Sequence, residues 1–130
     1  MTGNVPLSGF RLIDGDFVNG LAGGQNGIYQ SGLTATGSTQ ATALQLAGGI
    51  TLFELDTVAS STGVAMPAAL AGTEISIYNN GAQTLTVYPL IANNPITAAQ
   101  DTINNGTSTT AATHTSLYFF CAKNGIWASK

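Results

Sequence analysis

The chain has 130 residues, of which 44% are hydrophobic and only 7% are charged, and its formal net charge is -3. Soluble domains usually have about 25% charged residues, so the polar surface must come mainly from threonine, serine, asparagine and glutamine. The only basic residues are Arg11, Lys123 and Lys130, which argues against nucleic-acid binding, because neutralising phosphates needs clustered cations. The single cysteine, Cys121, excludes a disulfide within the chain.

No segment of the sequence predicts export or membrane insertion. The first residues lack a cationic start followed by an apolar core, so we expect no secretory signal. The apolar runs are much shorter than the ~20 residues of a membrane-spanning helix. A surface so poor in charge is unusual for a free monomer, which relies on charge for solubility. We therefore expect much of this surface to be buried against other chains.

Residues 1–35 are predicted to form an extended, glycine-rich arm. Glycines at short intervals divide this segment into pieces too short for a regular element. A disordered tail would be less hydrophobic and more highly charged. The apolar residues expected to anchor the arm on a partner surface are Phe10, Leu12, Phe17 and Tyr29.

Residues 36–130 are predicted to form a separate β-domain, whose clearest part is a β-hairpin at residues 74–89. Apolar and polar residues alternate on both arms of this hairpin, so each arm has one apolar face. The apolar positions are Ile75, Ile77, Leu85 and Val87. Between the arms, residues 79–83 tolerate the positive φ angles of a tight turn. The opposite face, with Tyr78, Thr84, Thr86 and Tyr88, is expected to meet a neighbouring subunit.

Further turn signals predict two more hairpins and one short helical turn. Ala47-Gly48-Gly49 is expected to join strands within residues 43–56, and Lys123-Asn124-Gly125 to join strands within residues 115–128. A proline at residue 67 and a glycine at residue 72 frame the helical turn. Short strands at close spacing indicate an all-β fold, namely an antiparallel β-sandwich or jelly-roll-like domain after the arm.

The residues that could support catalysis or metal binding are few and scattered. The glycine-rich run at residues 20–27 lacks the Gly-Lys-Ser/Thr sequence of a phosphate-binding loop. Asp14 and Asp16 lack the other ligands of a calcium loop. Glu54 and Asp56 lie two residues apart on one face of a strand, so a paired-carboxylate site is conceivable, but no partner group is identifiable beside them.

Two other reactive residues are interpreted as structural. His114 is expected to be an exposed loop residue, although three copies around a threefold axis could bind a metal. Cys121 is expected to pack as a small buried apolar residue. We therefore predict no enzyme activity, no cofactor and no metal.

Trp127 lies on the last predicted strand. We expect it to close the core against residues 67–72 or a neighbouring subunit. The alternative is an exposed sugar-stacking platform with Tyr78 and Tyr88.

An ordered series of segments resembles small β-rich virion proteins of tailed bacteriophages and prophages, in particular capsid decoration (cement) proteins and tip modules of head or tail fibres. The resemblance covers roughly residues 40–130. The segments that carry it are Ala41-Thr-Ala-Leu44, Gly63-Val-Ala-Met-Pro-Ala-Ala69 with Gly72, Ile75-Ser-Ile-Tyr-Asn-Asn-Gly81, Leu85-Thr-Val-Tyr-Pro89, Leu117-Tyr-Phe-Phe-Cys121 and Gly125-Ile-Trp127.

This resemblance implies a homotrimer seated on the major capsid protein, on the exterior of the virion. The expected assembly contacts are Phe10, Leu12, Phe17, Tyr29, Tyr78, Tyr88 and Trp127. The alternative is a receptor- or glycan-binding module of a fibre that uses Trp127, Tyr78, Tyr88 or the loop around Asn93-Asn94. A small hydrolase is disfavoured, because the residues for it are lacking.

Overall fold

The structure is a computed structural model that describes residues 28–130. Within this range the strands form a six-stranded sheet and a four-stranded sheet, here called the larger and the smaller sheet. In spatial order, the larger sheet contains β1 (Tyr29–Thr34), β3 (Leu52–Thr57), β5 (Glu74–Asn79), β9 (Thr115–Lys123), β10 (Ile126–Ser129) and β7 (Thr102–Ile103). The smaller sheet contains β2 (Leu44–Gln45), β4 (Gly63–Ala65), β6 (Leu85–Tyr88) and β8 (Thr109–Ala111). A 3-10 helix at Gln40–Thr42 precedes β2.

Successive strands from β1 to β6 alternate between the two sheets, so the chain winds as a coil. Each turn of the coil lies directly on the previous one, and β1, β3 and β5 are parallel neighbours in the larger sheet. In the smaller sheet β2, β4 and β6 are likewise parallel, with Leu44 beside Val64 and Val64 beside Val87. The fold is therefore a β-solenoid of stacked coils.

The last part of the chain closes this stack with reversed strands. β8 runs antiparallel to β6, and β9 runs antiparallel to β5. β10 then turns back beside β9, and β7 adds a parallel strand next to β10. Both sheets are consequently mixed.

The predicted antiparallel β-sandwich or jelly-roll-like fold is therefore wrong, and the hairpin at residues 74–89 shows why. Its two arms are β5 and β6, which lie in different sheets and do not pair. Neither Asn80 nor Gly81 has the positive φ that a tight hairpin turn requires. Instead the fully buried Asn79 turns the chain, because its Oδ1 accepts the Gly81 N–H at 2.9 Å. The residues form a corner between sheets.

The two other predicted hairpins and the predicted helical turn are judged by the partners of their backbone N–H and carbonyl groups. The hairpin predicted within residues 43–56 is wrong, since β2 and β3 also lie in different sheets. The helical turn at residues 67–72 is wrong as well. The Ala71 N–H, which would donate to the Pro67 carbonyl in a helix, donates instead to Asn124 Oδ1 at 2.8 Å. The Ala69 N–H donates to Asp101 Oδ2 at 2.8 Å. The hairpin through Lys123-Asn124-Gly125 is confirmed, with Gly125 at φ 93°.

The core lies between the two sheets and is built from the inward side chains of the alternating strands. Ile75, Ile77, Leu85 and Val87, the apolar positions expected to be buried, are all buried. They pack in one cluster with the inward residues of the other strands, which include Phe53, Leu55, Val64, Phe119, Cys121 and Trp127. The rings of Phe119 and Trp127 meet edge to face, with centroids 6.4 Å apart.

Part of the predicted N-terminal arm belongs to the solenoid. Residues 29–34 of that segment form β1, which pairs with β3. The rest of the arm, residues 1–27, lies outside the described residues. The predicted domain boundary between residues 35 and 36 thus falls just after the first strand of the larger sheet.

Candidate functional site

The outward face of the larger sheet carries exposed apolar and aromatic side chains. Tyr29, Leu52, Ser76 and Tyr118 are register neighbours across β1, β3, β5 and β9, and Phe120 follows two residues after Tyr118. Tyr29 is 64% exposed, Leu52 41%, Tyr118 37% and Phe120 36%. Strand alternation explains the pattern, because Phe53, Phe119 and Cys121 point inward. We call Tyr29, Leu52, Tyr118 and Phe120 the outer apolar row.

The row combines stacked rings with one carboxylate. The rings of Tyr118 and Phe120 have centroids 5.9 Å apart and planes inclined by 27°. Glu74 lies beside Phe120 on the neighbouring strand. The nearby Glu74 carboxylate raises the pKa of the Tyr118 hydroxyl, because it favours the protonated phenol over the phenolate.

The predicted carboxylate pair, Glu54 and Asp56, lies on the same outward face but is engaged by neighbouring coils. Glu54 Oε1 accepts the Gly32 N–H at 2.6 Å, and Oε2 accepts Asn80 Nδ2 at 3.0 Å. These bonds, the Gly32 N–H first, lower the pKa of Glu54, since they favour the ionised carboxylate. Asn80 Nδ2 also lies 3.4 Å from Asp56 Oδ1. A general acid needs the opposite shift, so the geometry favours a structural clamp between coils.

A second polar cluster lies in the interior. Asp101 is only 3% exposed, and besides the Ala69 N–H its carboxylate accepts Asn94 Nδ2 at 2.9 Å. Asn94 is itself fully buried and also donates to the Ala69 carbonyl. These two side chains hold the segment after β4 in place. Asn94 is thus not a free surface group for the glycan loop expected around Asn93-Asn94.

His114 and Cys121 lie where the sequence predicted. His114 is an exposed loop residue with φ 58°, and its backbone N–H donates to the Asn79 carbonyl at 2.7 Å. Cys121 is 3% exposed, and burial raises the pKa of its thiol. A reactive thiolate has the opposite character, namely a lowered pKa and partial exposure. Among residues 28–130, no three His, Cys, Asp or Glu side chains come together as metal ligands.

Within residues 28–130, the residues expected to make assembly contacts do not all lie on one face. Tyr29 and Tyr78 share the outward face of the larger sheet, whereas Tyr88 belongs to the smaller sheet and donates its hydroxyl to the Ser38 carbonyl at 3.2 Å. The prediction that Tyr78, Thr84, Thr86 and Tyr88 form one outer face is therefore wrong. Tyr78 lies on the larger sheet, whereas Thr86 and Tyr88 lie on the smaller sheet. Phe10, Leu12 and Phe17 lie outside the described residues.

Trp127 is fully buried, and its Nε1 donates to the Pro67 carbonyl at 3.2 Å. The expectation that it closes the core against residues 67–72 is confirmed. The alternative of a sugar-stacking platform is excluded for this side chain, because it has no exposed surface in the chain.

Sequence reasoning missed Leu52, Tyr118 and Phe120. The signal was available in the run Leu117–Ala122, because placing Phe119 and Cys121 in the core sends Tyr118 and Phe120 outward. The alignment of Tyr118 with Leu52 and Tyr29 was not available, since it depends on the long-range pairing of β1, β3, β5 and β9.

A groove of about 580 Å³ lies where the chain leaves the smaller sheet, between the connection after β2 and the segments at residues 67–68 and 90–92. Its lining is almost entirely apolar. The one long polar side chain there, Gln45, is already engaged, since Nε2 donates to the Met66 carbonyl and Oε1 accepts the Ile91 N–H. The groove therefore lacks the convergent polar groups that orient a small ligand.

Comparisons with models of known protein families, with curated proteins and with solved structures found no match. Among the helices in the described part of the chain, none is long and apolar enough to span a membrane. Any functional assignment therefore depends on the geometry above and on the resemblance noted in the sequence.

Proposed function

We propose that this chain is a non-enzymatic structural protein of a tailed bacteriophage, a capsid decoration (cement) protein that trimerises on the major capsid protein and stabilises the head from outside. The observation that carries the proposal is the outer apolar row: four large apolar or aromatic side chains, at least 36% exposed, on one sheet face. The resemblance to small β-rich virion proteins supplies the type of particle.

A row of exposed apolar side chains in a chain with 7% charged residues favours permanent protein contact. Apolar area contributes about 25 cal/mol for each Å² removed from water, whereas exposed ion pairs contribute about 0–1 kcal/mol each. A face built this way gains most from an apolar partner surface. The two candidate reactive groups fit structural roles, because the Glu54 carboxylate is engaged by Gly32 and Asn80 and the Cys121 thiol is buried.

The assembly proposal is tested by native mass measurement on the full chain and on two variants. We expect the unmodified chain to be a trimer and the double variant Leu52→Asp/Tyr118→Asp to be a folded monomer. Ile96→Asp is the matched control, because Ile96 is 64% exposed but lies in the connection between β6 and β7 and not on a strand of the larger sheet. A stable monomer for the unmodified chain would contradict the trimer.

The position on the particle is tested by imaging virions that carry the chain. Copies spread over the whole head would support decoration. Copies confined to the tail or to the vertices would overturn it in favour of a fibre module.

The second candidate is a glycan-binding module of a head or tail fibre. The observation in its favour is the Tyr118–Phe120 stack beside Glu74, because sugar recognition uses aromatic faces with a few polar groups. Binding to a glycan array that is lost in Phe120→Ala and kept in Ile96→Ala would establish this role. No binding by the unmodified chain would remove the candidate.

A further inference from the structure

Asparagine is followed by glycine at three places in the described residues: Asn80-Gly81, Asn105-Gly106 and Asn124-Gly125. Such pairs are chemically labile. The glycine backbone nitrogen loses its proton and attacks the side-chain amide carbon of asparagine. A C–N bond forms, ammonia leaves, and a five-membered imide results. Water then opens the imide to aspartate or isoaspartate, with no change in oxidation state.

The reaction needs a glycine N–H that is free to lose its proton and an asparagine side chain that is free to swing towards it. A hydrogen bond donated by that N–H opposes the loss of the proton. A hydrogen bond to the asparagine side chain opposes its movement towards the nitrogen. The reacting residues are asparagine and glycine in all three pairs. The pairs can therefore be ranked by the hydrogen bonds that hold the glycine N–H and the asparagine side chain.

Asn80 is held at both ends. The N–H of the buried Gly81 donates to Asn79 Oδ1 at 2.9 Å, inside the corner between β5 and β6. The Asn80 side chain donates to Glu54 at 3.0 Å. Cyclisation would require both bonds to break.

Asn124 is held in a comparable way. The Gly125 N–H donates to the Ala69 carbonyl at 2.9 Å, and Asn124 Oδ1 accepts the Ala71 N–H at 2.8 Å. Both partners belong to the segment that Asp101 and Asn94 fix in the interior.

Asn105 is held least. Gly106 donates its N–H to the Ile103 carbonyl at 2.8 Å, which is only the bond that closes a tight turn. The exposed Asn105 side chain makes no hydrogen bond within residues 28–130, and Asn104 and Asn105 both have positive φ, at 52° and 61°. The turn follows β7, a two-residue strand at the edge of the larger sheet. Short edge elements open locally at low free energy.

We propose that, among the three Asn-Gly pairs within residues 28–130, Asn105 is the preferred site of spontaneous deamidation in the folded protein, and that the fold protects Asn80 and Asn124 from the same reaction. Conversion at Asn105 adds one negative charge to a chain of formal net charge -3. It also leaves either an aspartate or a β-linked backbone in the turn.

The test compares the folded chain with the urea-unfolded chain, both incubated at mildly alkaline pH and mapped by peptide mass spectrometry. In urea, the acid forms should appear at similar rates at all three asparagines. In the folded chain, Asn105 should convert at least about tenfold faster than Asn80 or Asn124. The proposal would be overturned if, in the folded chain, Asn80 or Asn124 converted as fast as Asn105. It would also be overturned if Asn105 reacted in the unfolded chain but not in the folded one.

Gly106→Ala provides a matched variant. A Cβ at Gly106 would lie 3.4 Å from the Ile103 carbonyl oxygen, an ordinary contact, and the residue has no positive φ. The fold should therefore be kept while the added methyl group hinders attack by the nitrogen. Conversion at Asn105 should fall several-fold in both the folded and the unfolded chain. An unchanged rate would refute attack by the Gly106 nitrogen.

Discussion

Replacing Asn79 with alanine should destabilise the solenoid more than any exposed substitution. Asn79 is fully buried at the corner between β5 and β6. Its Oδ1 accepts the Gly81 N–H at 2.9 Å, and its Nδ2 donates to the Gln83 carbonyl at 2.8 Å and to the Ala111 carbonyl at 3.0 Å. One side chain thus closes the corner and ties it to β8.

The magnitude follows from the groups that lose their partner. The Gly81 N–H and the Ala111 carbonyl belong to buried residues, whereas Gln83 is exposed and its carbonyl can turn to water. A buried polar group left without a partner costs about 1–3 kcal/mol. Leaving both groups without a partner should therefore lower the free energy of unfolding by about 2–6 kcal/mol. This is a large fraction of the ~5–15 kcal/mol that stabilises an ordinary domain.

Urea unfolding measures this loss, with the fluorescence of Trp127 as probe because it is the only tryptophan and is fully buried. Asn80→Ala is the matched control. It removes the same side chain one residue later, where the side chain belongs to an exposed residue and, within residues 28–130, donates only to Glu54 and Asp56. We expect the control to cost less than about 1 kcal/mol. Equal losses in the two variants would refute the role given to the buried corner asparagine.

Three further predictions concern the packing and the titratable groups. Gly81→Ala should lower the free energy of unfolding by about 1–3 kcal/mol, because its Cβ would lie 2.6 Å from Val58; thermal unfolding should show no such loss for Gly106→Ala. Hydrogen bonds lower the folded-state pKa of Glu54, so the stability from its ionised form is present above its ordinary pKa of 4.5 and is lost as the pH falls through the folded value. The stability advantage over Glu54→Gln should therefore shrink in acid, and urea titrations showing a growing advantage would contradict this sign. The Cys121 thiol should react with a maleimide only after unfolding, because it is buried; rapid labelling of the folded chain would contradict its burial.

The sequence alone identified which residues face the core, because strand alternation is a local property. Ile75, Ile77, Leu85 and Val87 were all assigned correctly from the two-residue period. The hairpin at Lys123-Asn124-Gly125 was predictable for the same reason, since its turn and both its strands are adjacent in sequence.

Strand pairing was decided only by the tertiary structure. Alternation looks the same whether a strand pairs with the next strand in sequence or with the strand one coil away. The run Asn79-Asn80-Gly81 suits a hairpin turn, yet Asn79 makes a corner because it finds a partner in Ala111, 32 residues away. Such partners exist only once the coils have stacked.

The outer apolar row shows the same division between local and long-range information. The outward direction of Tyr118 and Phe120 follows from the sequence, because Phe119 and Cys121 are core residues. The position of Tyr118 in line with Leu52 and Tyr29 follows from the register of β1, β3, β5 and β9. The sequence by itself determined a charge-poor chain of short alternating strands. Only the stacking of coils, which joins residues far apart in the chain, arranged its exposed side chains into one surface.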